Sequence, residues 1–338
     1  MTPFFTVVIP TYNRSRMAAA AALSVLDQIE GDFQCLVVDD GSTDDTPRVL
    51  AALPKDERLH VIRMYKNLGQ HSCRNLAIRL SHARFVTFLD SDDVYLPGRL
   101  AAFKDAARRR PEAGFWFSNA YVHRYGRVVG RLFHPDRAIP QGRVPGCYAV
   151  GDRWLPYVTT NVAIRRDAFD RFGAFREDLR ILEDTELYAR MLAGGLEVGS
   201  IAEPLAVRVL HASQITRDHE RDFREALIAL QSSGAQGEVL ARLREALVLE
   251  VATYLWKELE PERAREFLRA ELGEAGPWAF GPGRGLYWKT FLPAKALAAA
   301  KALRRSYLRA RFAPGLAPGE FTAACRALES LRGRAACL

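Results

Sequence analysis

Within its first ninety residues the chain alternates short apolar runs with helical patterns, and this alternation leaves few folds open. The runs are "FTVVIP" from Phe5, "FQCLVVDD" from Phe33, "LHVIRM" from Leu59 and "RFVTFL" from Arg84. Between them lie "RMAAAAALSVLDQI", "TPRVLAAL", with Thr46 as N-cap before Pro47, and "CRNLAIRLS". Continuously apolar strands separated by helices predict a mostly parallel sheet covered on both faces. Ligands of such sheets sit beyond the carboxyl ends of the strands. Three strands end in polar residues of chemical interest: Pro10-Thr11-Tyr12-Asn13, Asp39-Asp40-Gly41-Ser42 and Asp90-Ser91-Asp92-Asp93. They are expected to share one rim.

The segment from about Ala113 to Ile164 mixes short apolar runs with Gly and Pro, which predicts an antiparallel or mixed continuation of the sheet. After about Arg217 the pattern turns helical, with Phe223, Leu227 and Leu230 on one face and Leu240, Leu243, Leu247, Val251 and Tyr254 on another. The expected architecture is therefore an α/β domain over residues 1–217, a helical extension over 218–283 and a basic amphipathic segment over 284–338. That last segment holds eleven Lys and Arg against Glu320 and Glu329, a surplus of nine, whereas the whole chain carries +8. The asymmetry points to a polyanionic partner for the tail. On a helix after Pro293, apolar Ala296, Leu297, Ala300, Leu303 and Tyr307 oppose Lys295, Arg305 and Arg309. Such a helix suits either a membrane surface or docking on the rest of the protein.

Five cysteines, never spaced Cys-x-x-Cys, suggest neither a disulfide framework nor a zinc ribbon, and a reducing cytoplasm fits them best. The apolar N-terminus lacks a basic leader and meets Pro10 at once, so it reads as a strand rather than a signal peptide. No run of about 18 uncharged apolar residues offers a membrane span. A dinucleotide fold would need Gly-x-Gly-x-x-Gly after the first strand, where this chain has Pro10-Thr11-Tyr12-Asn13-Arg14. A sugar nucleotidyltransferase would open on a Gly-rich phosphate loop, also absent. No nucleic-acid partner is expected, because acids stand where phosphates would go.

The cluster Asp90-Ser91-Asp92-Asp93 repels itself, so it belongs either to a solvated turn capping the following helix or to a cation site. Asp39-Asp40-Gly41 reads as an Asx-turn or as an acceptor for a ligand's N–H. Glu183 and Asp184 open an amphipathic helix marked by Leu187, Met191 and Leu192, where they could serve its dipole or a reaction.

The ordered series "VVIPTYNR", "VVDDGSTDDT", "NLGQHSCRN", "FLDSDD", "TTNVAIRRDAFDRFGAF" and "LEDTELYARML" resembles the inverting glycosyltransferases of family 2, which have the GT-A fold. The resemblance spans residues 4 to 217. It implies transfer from a nucleoside diphosphate sugar, a UDP-sugar above all, to a saccharide or lipid-linked acceptor in the assembly of cell-surface polysaccharide, glycolipid or glycan. It implies that Asp40, supported by Asp39, reads the base, that Pro10, Thr11 and Tyr12 pack beside it, and that Arg74 and Ser91 lie near the nucleotide. Asp92 would bind Mn²⁺ or Mg²⁺, with Asp90 reaching the ribose or the metal and His211 completing the metal's ligands. The glycine that often follows that histidine is missing here. Asp184 would be the general base, with Glu183 secondary and Thr160-Asn161 lining the acceptor side. For such an enzyme the basic tail implies peripheral attachment to the inner face of an anionic membrane.

Overall fold

The computed structural model describes residues 2–124, 126–150, 155–211, 218–257, 260–272 and 318–338. The parallel heart of its sheet is built from β1 (Phe5–Thr11), β2 (Phe33–Asp39), β3 (Leu59–Arg63) and β4 (Phe85–Phe88), joined by the helices α1 (Ser15–Leu26), α2 (Thr46–Ala51) and α3 (Gln70–Leu80). Every residue of β1 and β4 is buried, as continuous apolar runs demand. Thr46 is the first helical residue of α2 rather than its N-cap; its hydroxyl instead accepts from Arg14 N at 3.1 Å, tying α2 to the end of β1.

The rest of the sheet is mixed, as expected. After β5 (Val94–Tyr95) and α4 (Arg99–Arg109) come β6 (Ala113–Arg124), β7 (Arg127–Arg131), β8 (Val162–Arg165), α5 (Arg166–Phe172), α6 (Glu183–Ala193) and β9 (Glu197–Leu210). The sheet order is β3-β2-β1-β4-β8-β6-β9-β5, with β7 paired to β6. β8 runs antiparallel to both β4 and β6, while β9 runs parallel to β6. The long β9 has no clean apolar alternation, because Glu197, Glu203 and Arg208 interrupt it, and its strand character comes from pairing along β6. α4 begins well beyond Asp93, behind Gly98 at φ 82°, so the acidic cluster does not cap it.

Helices α7 (His219–Ser232), α8 (Gly237–Lys257) and α9 (Pro261–Leu272) match the expected helical extension. Residue 217 is not a break in packing, however. Ala229 and Leu230 of α7 share a buried cluster with Leu187, Met191 and Leu192 of α6. The last helix, α10 (Pro318–Ala336), returns to the N-terminal domain and buries Ala324, Leu328, Leu331 and Ala335 in its core beside α1. Arg334 pairs with Asp27 at the edge of this contact. The contact explains why Ala18 to Ala22 are five apolar residues in a row, all buried: α1 lies between the sheet and α10. The end of the basic segment thus docks on the N-terminal α/β domain, whereas the amphipathic helix expected after Pro293 lies outside the described residues. Among the described residues no helix is long and apolar enough to cross a membrane.

Candidate active site

The parallel pairing puts the ends of β1, β2 and β4 side by side, with Thr11 in register with Asp39. Asp39 Oδ1 accepts from Ser42 N at 3.0 Å, which is the Asx-turn, while its Oδ2 lies 3.6 Å from Arg63 Nε. Asp40 is buried and faces the other way: its two oxygens accept from Leu68 N and Gly69 N, each at 2.8 Å. Each oxygen keeps acceptor capacity beyond that one bond. Gly41 sits at φ +69°, and a Cβ there would lie 2.7 Å from the Lys66 carbonyl carbon, so the turn needs glycine. Asn13 links the first two motifs, its Oδ1 accepting from Thr43 N at 2.8 Å. The result is a pocket of about 310 Å³ lined by Pro10, Thr11, Tyr12, Asp40, Asn67 and Ser91, among others. Tyr12 is 40% exposed at its rim, an aromatic face that the core does not claim.

The three aspartates after β4 resolve their mutual repulsion by facing different partners. Asp90 Oδ1 takes Arg74 at 2.8 Å. Asp92 Oδ2 meets Arg14 Nη1 at 2.7 Å and His211 Nε2 at 2.6 Å. Asp93 is buried; it accepts from the Thr160 hydroxyl at 2.5 Å and from Val209 N at 2.7 Å, and so ties β4 to β9. Burial pushes the Asp93 carboxyl well above the ordinary range, and the neighbouring Asp92 and Asp90 push it further. Burial also raises Asp90, against the opposing pull of Arg74.

Arg74 is almost wholly buried and spans two acid sites, reaching Asp90 with one arm and Glu183 Oε1 with the other at 2.7 Å. Gln70 Nε2 donates to the same Glu183 oxygen at 2.7 Å, while Glu183 Oε2 is buried without a hydrogen-bond partner. Burial, opposed by Arg74 and reinforced by Asp184, raises Glu183 to about 7. Asp184, one residue on, is half-buried. It accepts from the Thr159 hydroxyl at 2.7 Å and from Thr185 N at 2.6 Å. Asp184 lines one cavity of about 290 Å³ with Arg74, Asp90, Asp92, Glu183 and Arg208. That cavity shares Pro10, Arg14, Gln70 and Ser91 with the pocket of Asp40 and Tyr12.

The expected residues thus gather at one place, with one correction. Thr160 and Asn161 do not line the cavity; both are wholly buried, Thr160 between Asp93 and Asp90 N, Asn161 on Val158 N and Ser118 O. The turn they form, Thr159–Asn161, presents Thr159 instead. Four further residues contribute to the site without a role that the motifs imply: Arg14, Gln70, Arg208 and Glu225. Arg14 is the last residue of the first motif, which is a usable signal. Glu225 gave none, being one acid on an amphipathic helix. It is nonetheless buried, and its carboxylate accepts from Arg180 N, Ile181 N and Leu182 N at 2.8 to 3.1 Å. From α7 it therefore holds the loop that leads into α6, satisfying N–H groups just ahead of the helix.

Asp92 and His211 offer a hard oxygen and an imidazole at hydrogen-bond distance, a donor pair suited to Mn²⁺. Among the described residues no set of three or more such ligands gathers.

Residues 6–173 match the sequence profile of glycosyl transferase family 2. An uncharacterised glycosyltransferase of Rickettsia bellii is 27% identical over 238 residues, which is 70% of this chain and 33% of that protein. The succinoglycan biosynthesis protein ExoU of Rhizobium meliloti is 29% identical over 234 residues, 63% of this chain and 64% of its own length. The chain thus spans about a third to just under two thirds of these relatives. Among solved structures, S. aureus TarS 1–349 in complex with UDP-GlcNAc superposes with a TM-score of 0.59 at 16% identity, covering 92% of both chains. The mannosyltransferase PcManGT from Pyrobaculum calidifontis, in complex with GDP-Man and Mn²⁺, gives 0.53 at 21% identity over 99% of this chain and 88% of that one. These two likenesses are of fold: the mixed α/β architecture is that of GT-A glycosyltransferases.

Proposed function

Because this chain belongs to glycosyl transferase family 2 through residues 6–173, we propose that it moves a glycosyl group from a nucleoside diphosphate sugar to an acceptor hydroxyl with inversion at the anomeric carbon. The observation that carries this reading is the single cavity lined by Asp184 and by Asp90 and Asp92, joined to the pocket of Asp40 and Tyr12. Inversion needs a base on one side of the sugar and stabilisation of the leaving group on the other. Asp40 accepts the N3–H of uracil with its remaining capacity, and Tyr12 covers the base. TarS in complex with UDP-GlcNAc and PcManGT in complex with GDP-Man support a nucleotide-sugar donor, and the succinoglycan biosynthesis protein ExoU supports a role in polysaccharide assembly.

Asp92 and His211 would hold Mn²⁺ or Mg²⁺, which when bound neutralises charge on the departing diphosphate. Arg74 acts on Asp90 rather than on the nucleotide, since two of its nitrogens are committed to carboxylates. Asp184 takes the proton of the acceptor hydroxyl, with Thr159 holding one carboxylate oxygen in place. The basic surplus of residues 284–338 supports peripheral attachment to an anionic membrane, which suits a lipid-linked acceptor.

The test is calorimetric titration of UDP with and without Mn²⁺. The wild type is expected to bind in a Mn²⁺-dependent manner, and Asp92→Ala to lose that dependence. Unchanged binding by the variant would remove the metal from the proposal.

A further inference from the structure

The reaction cavity does not close behind Asp184. A second chamber of about 260 Å³ shares with it Tyr157, Val158, Leu182, Thr185 and Arg208, yet has no lining residue in common with the pocket of Asp40 and Tyr12. The order across the protein is therefore base pocket, reaction cavity, second chamber. Much of the chamber wall is apolar, with Leu155, Phe223, Ala226, Leu247 and Val251 facing in, the last four from α7 and α8. Asp222 and Glu250 also reach the wall, and burial pushes the Asp222 carboxyl up, toward its neutral form.

The junction holds the second observation. In the reaction cavity Arg14 and Arg74 are each matched to carboxylates. Arg208 is half-buried at the meeting of the two spaces, and among the described residues its guanidinium makes neither an ion pair nor a hydrogen bond. Desolvating a cation without a counter-ion is unfavourable, and an anionic ligand group would relieve it.

We infer that the second chamber is the apolar subsite for a lipid phosphate acceptor: the hydrocarbon chain enters between α7 and α8, its phosphate meets Arg208, and the sugar beyond the phosphate turns its hydroxyl to Asp184. This rests on the glycosyl-transfer reading and adds to it the place in the fold where a lipid phosphate acceptor would sit. It also gives the helical extension a role, since α7 and α8 supply the wall that a catalytic α/β domain alone would lack.

The test uses n-hexyl, n-octyl and n-decyl phosphate below their micelle concentrations, with inorganic phosphate and n-decanol as single-feature probes, and calorimetry on the full chain. Affinity should rise along the series by up to about fourfold per methylene, the factor for burying one in an apolar site. Both single-feature probes should bind at least tenfold more weakly than decyl phosphate. Ala226→Trp, which fills the chamber, should flatten the series, and Arg208→Gln should weaken decyl phosphate at least tenfold without changing decanol. If Ala226→Trp fails to fold, Arg208→Gln decides alone. A series with no dependence on chain length, or an unchanged decyl phosphate affinity in either variant, overturns the inference. So does an Arg208→Gln variant that loses UDP and keeps decyl phosphate, since Arg208 would then serve the donor. Failure of the wild type to bind UDP with Mn²⁺ would count against the donor reading and leave the alkyl phosphate result to judge the chamber.

Discussion

Arg74 and Glu183, 109 residues apart in the chain, form an ion pair of 2.7 Å in which both side chains are 1% exposed. The second arm of Arg74 reaches Asp90, so one guanidinium fixes the spacing between the two acidic motifs of the site. Removing one partner of such a pair leaves an uncompensated buried charge and costs about 3–5 kcal/mol. Arg74→Met is expected to lower the thermal midpoint by about 4–7 °C, at about 1.4 °C per kcal/mol for a chain of 338 residues. A midpoint within about 2 °C of the wild type in thermal unfolding would mean that the pair is energetically neutral.

Asp184→Asn keeps the size of the side chain and an acceptor for Thr159, yet removes the carboxylate proposed to take the acceptor's proton. Turnover is expected to fall by about 10²- to 10⁴-fold with donor affinity unchanged. Steady-state kinetics beside UDP titration would separate the two quantities, and product from a UDP-α-sugar should be β-linked by NMR. Near-normal turnover would send the search for the base elsewhere.

Glu183 makes stability depend on pH. Its native value of about 7 lies above the ordinary 4.5, so between those limits the folded protein holds a proton that the unfolded chain has released. Stability relative to Glu183→Gln should therefore fall as pH rises from about 4.5 to about 7, by on the order of 3 kcal/mol, and level off outside that window. Urea unfolding of both proteins in metal-free buffer at half-unit pH steps measures it. A flat difference would show that Arg74 cancels the effect of burial.

Glu225 anchors the backbone of Arg180 to Leu182, just ahead of Asp184. With Glu225→Ala those N–H groups lose their acceptor, and the turn carrying Asp184 loses its anchor. A fall in kcat of up to about 10²-fold is expected, with the Mn²⁺-dependent affinity for UDP retained and partial recovery in Glu225→Gln. Parallel loss of UDP binding would instead mark a general structural role.

The docking of α10 on α1 bears on how the basic tail can be tested. Truncation at Arg284 would also uncover Ala18 to Ala22, so a loss of liposome binding could reflect misfolding. Replacing Lys301, Arg304, Arg305 and Arg309 with Gln leaves α10 in place. That variant should pellet less than the wild type with anionic vesicles, and the wild type should be released by salt. Equal pelleting would reject membrane attachment through this segment.

Local pattern determined much of this protein. Apolar runs of four to eight residues made β1 to β4 legible, and their alternation with helices implied that the strand ends at Asp39-Asp40 and Asp90-Asp92 would meet, while Asp184 and the role of each acid came only from the resemblance to family 2. What the sequence could not decide was partnership across long separations. Nothing local distinguishes Arg74 from a surface cation, or Glu225 from a solvated acid; burial and the groups opposite decide, and those come from elements 43 to 109 residues away. Thr160 and Thr159 differ by one position, and only the packing of their turn against β4 determines which faces the cavity. Motif chemistry is written in consecutive residues, whereas the electrostatic balance of a site depends on distances through space that the fold alone sets.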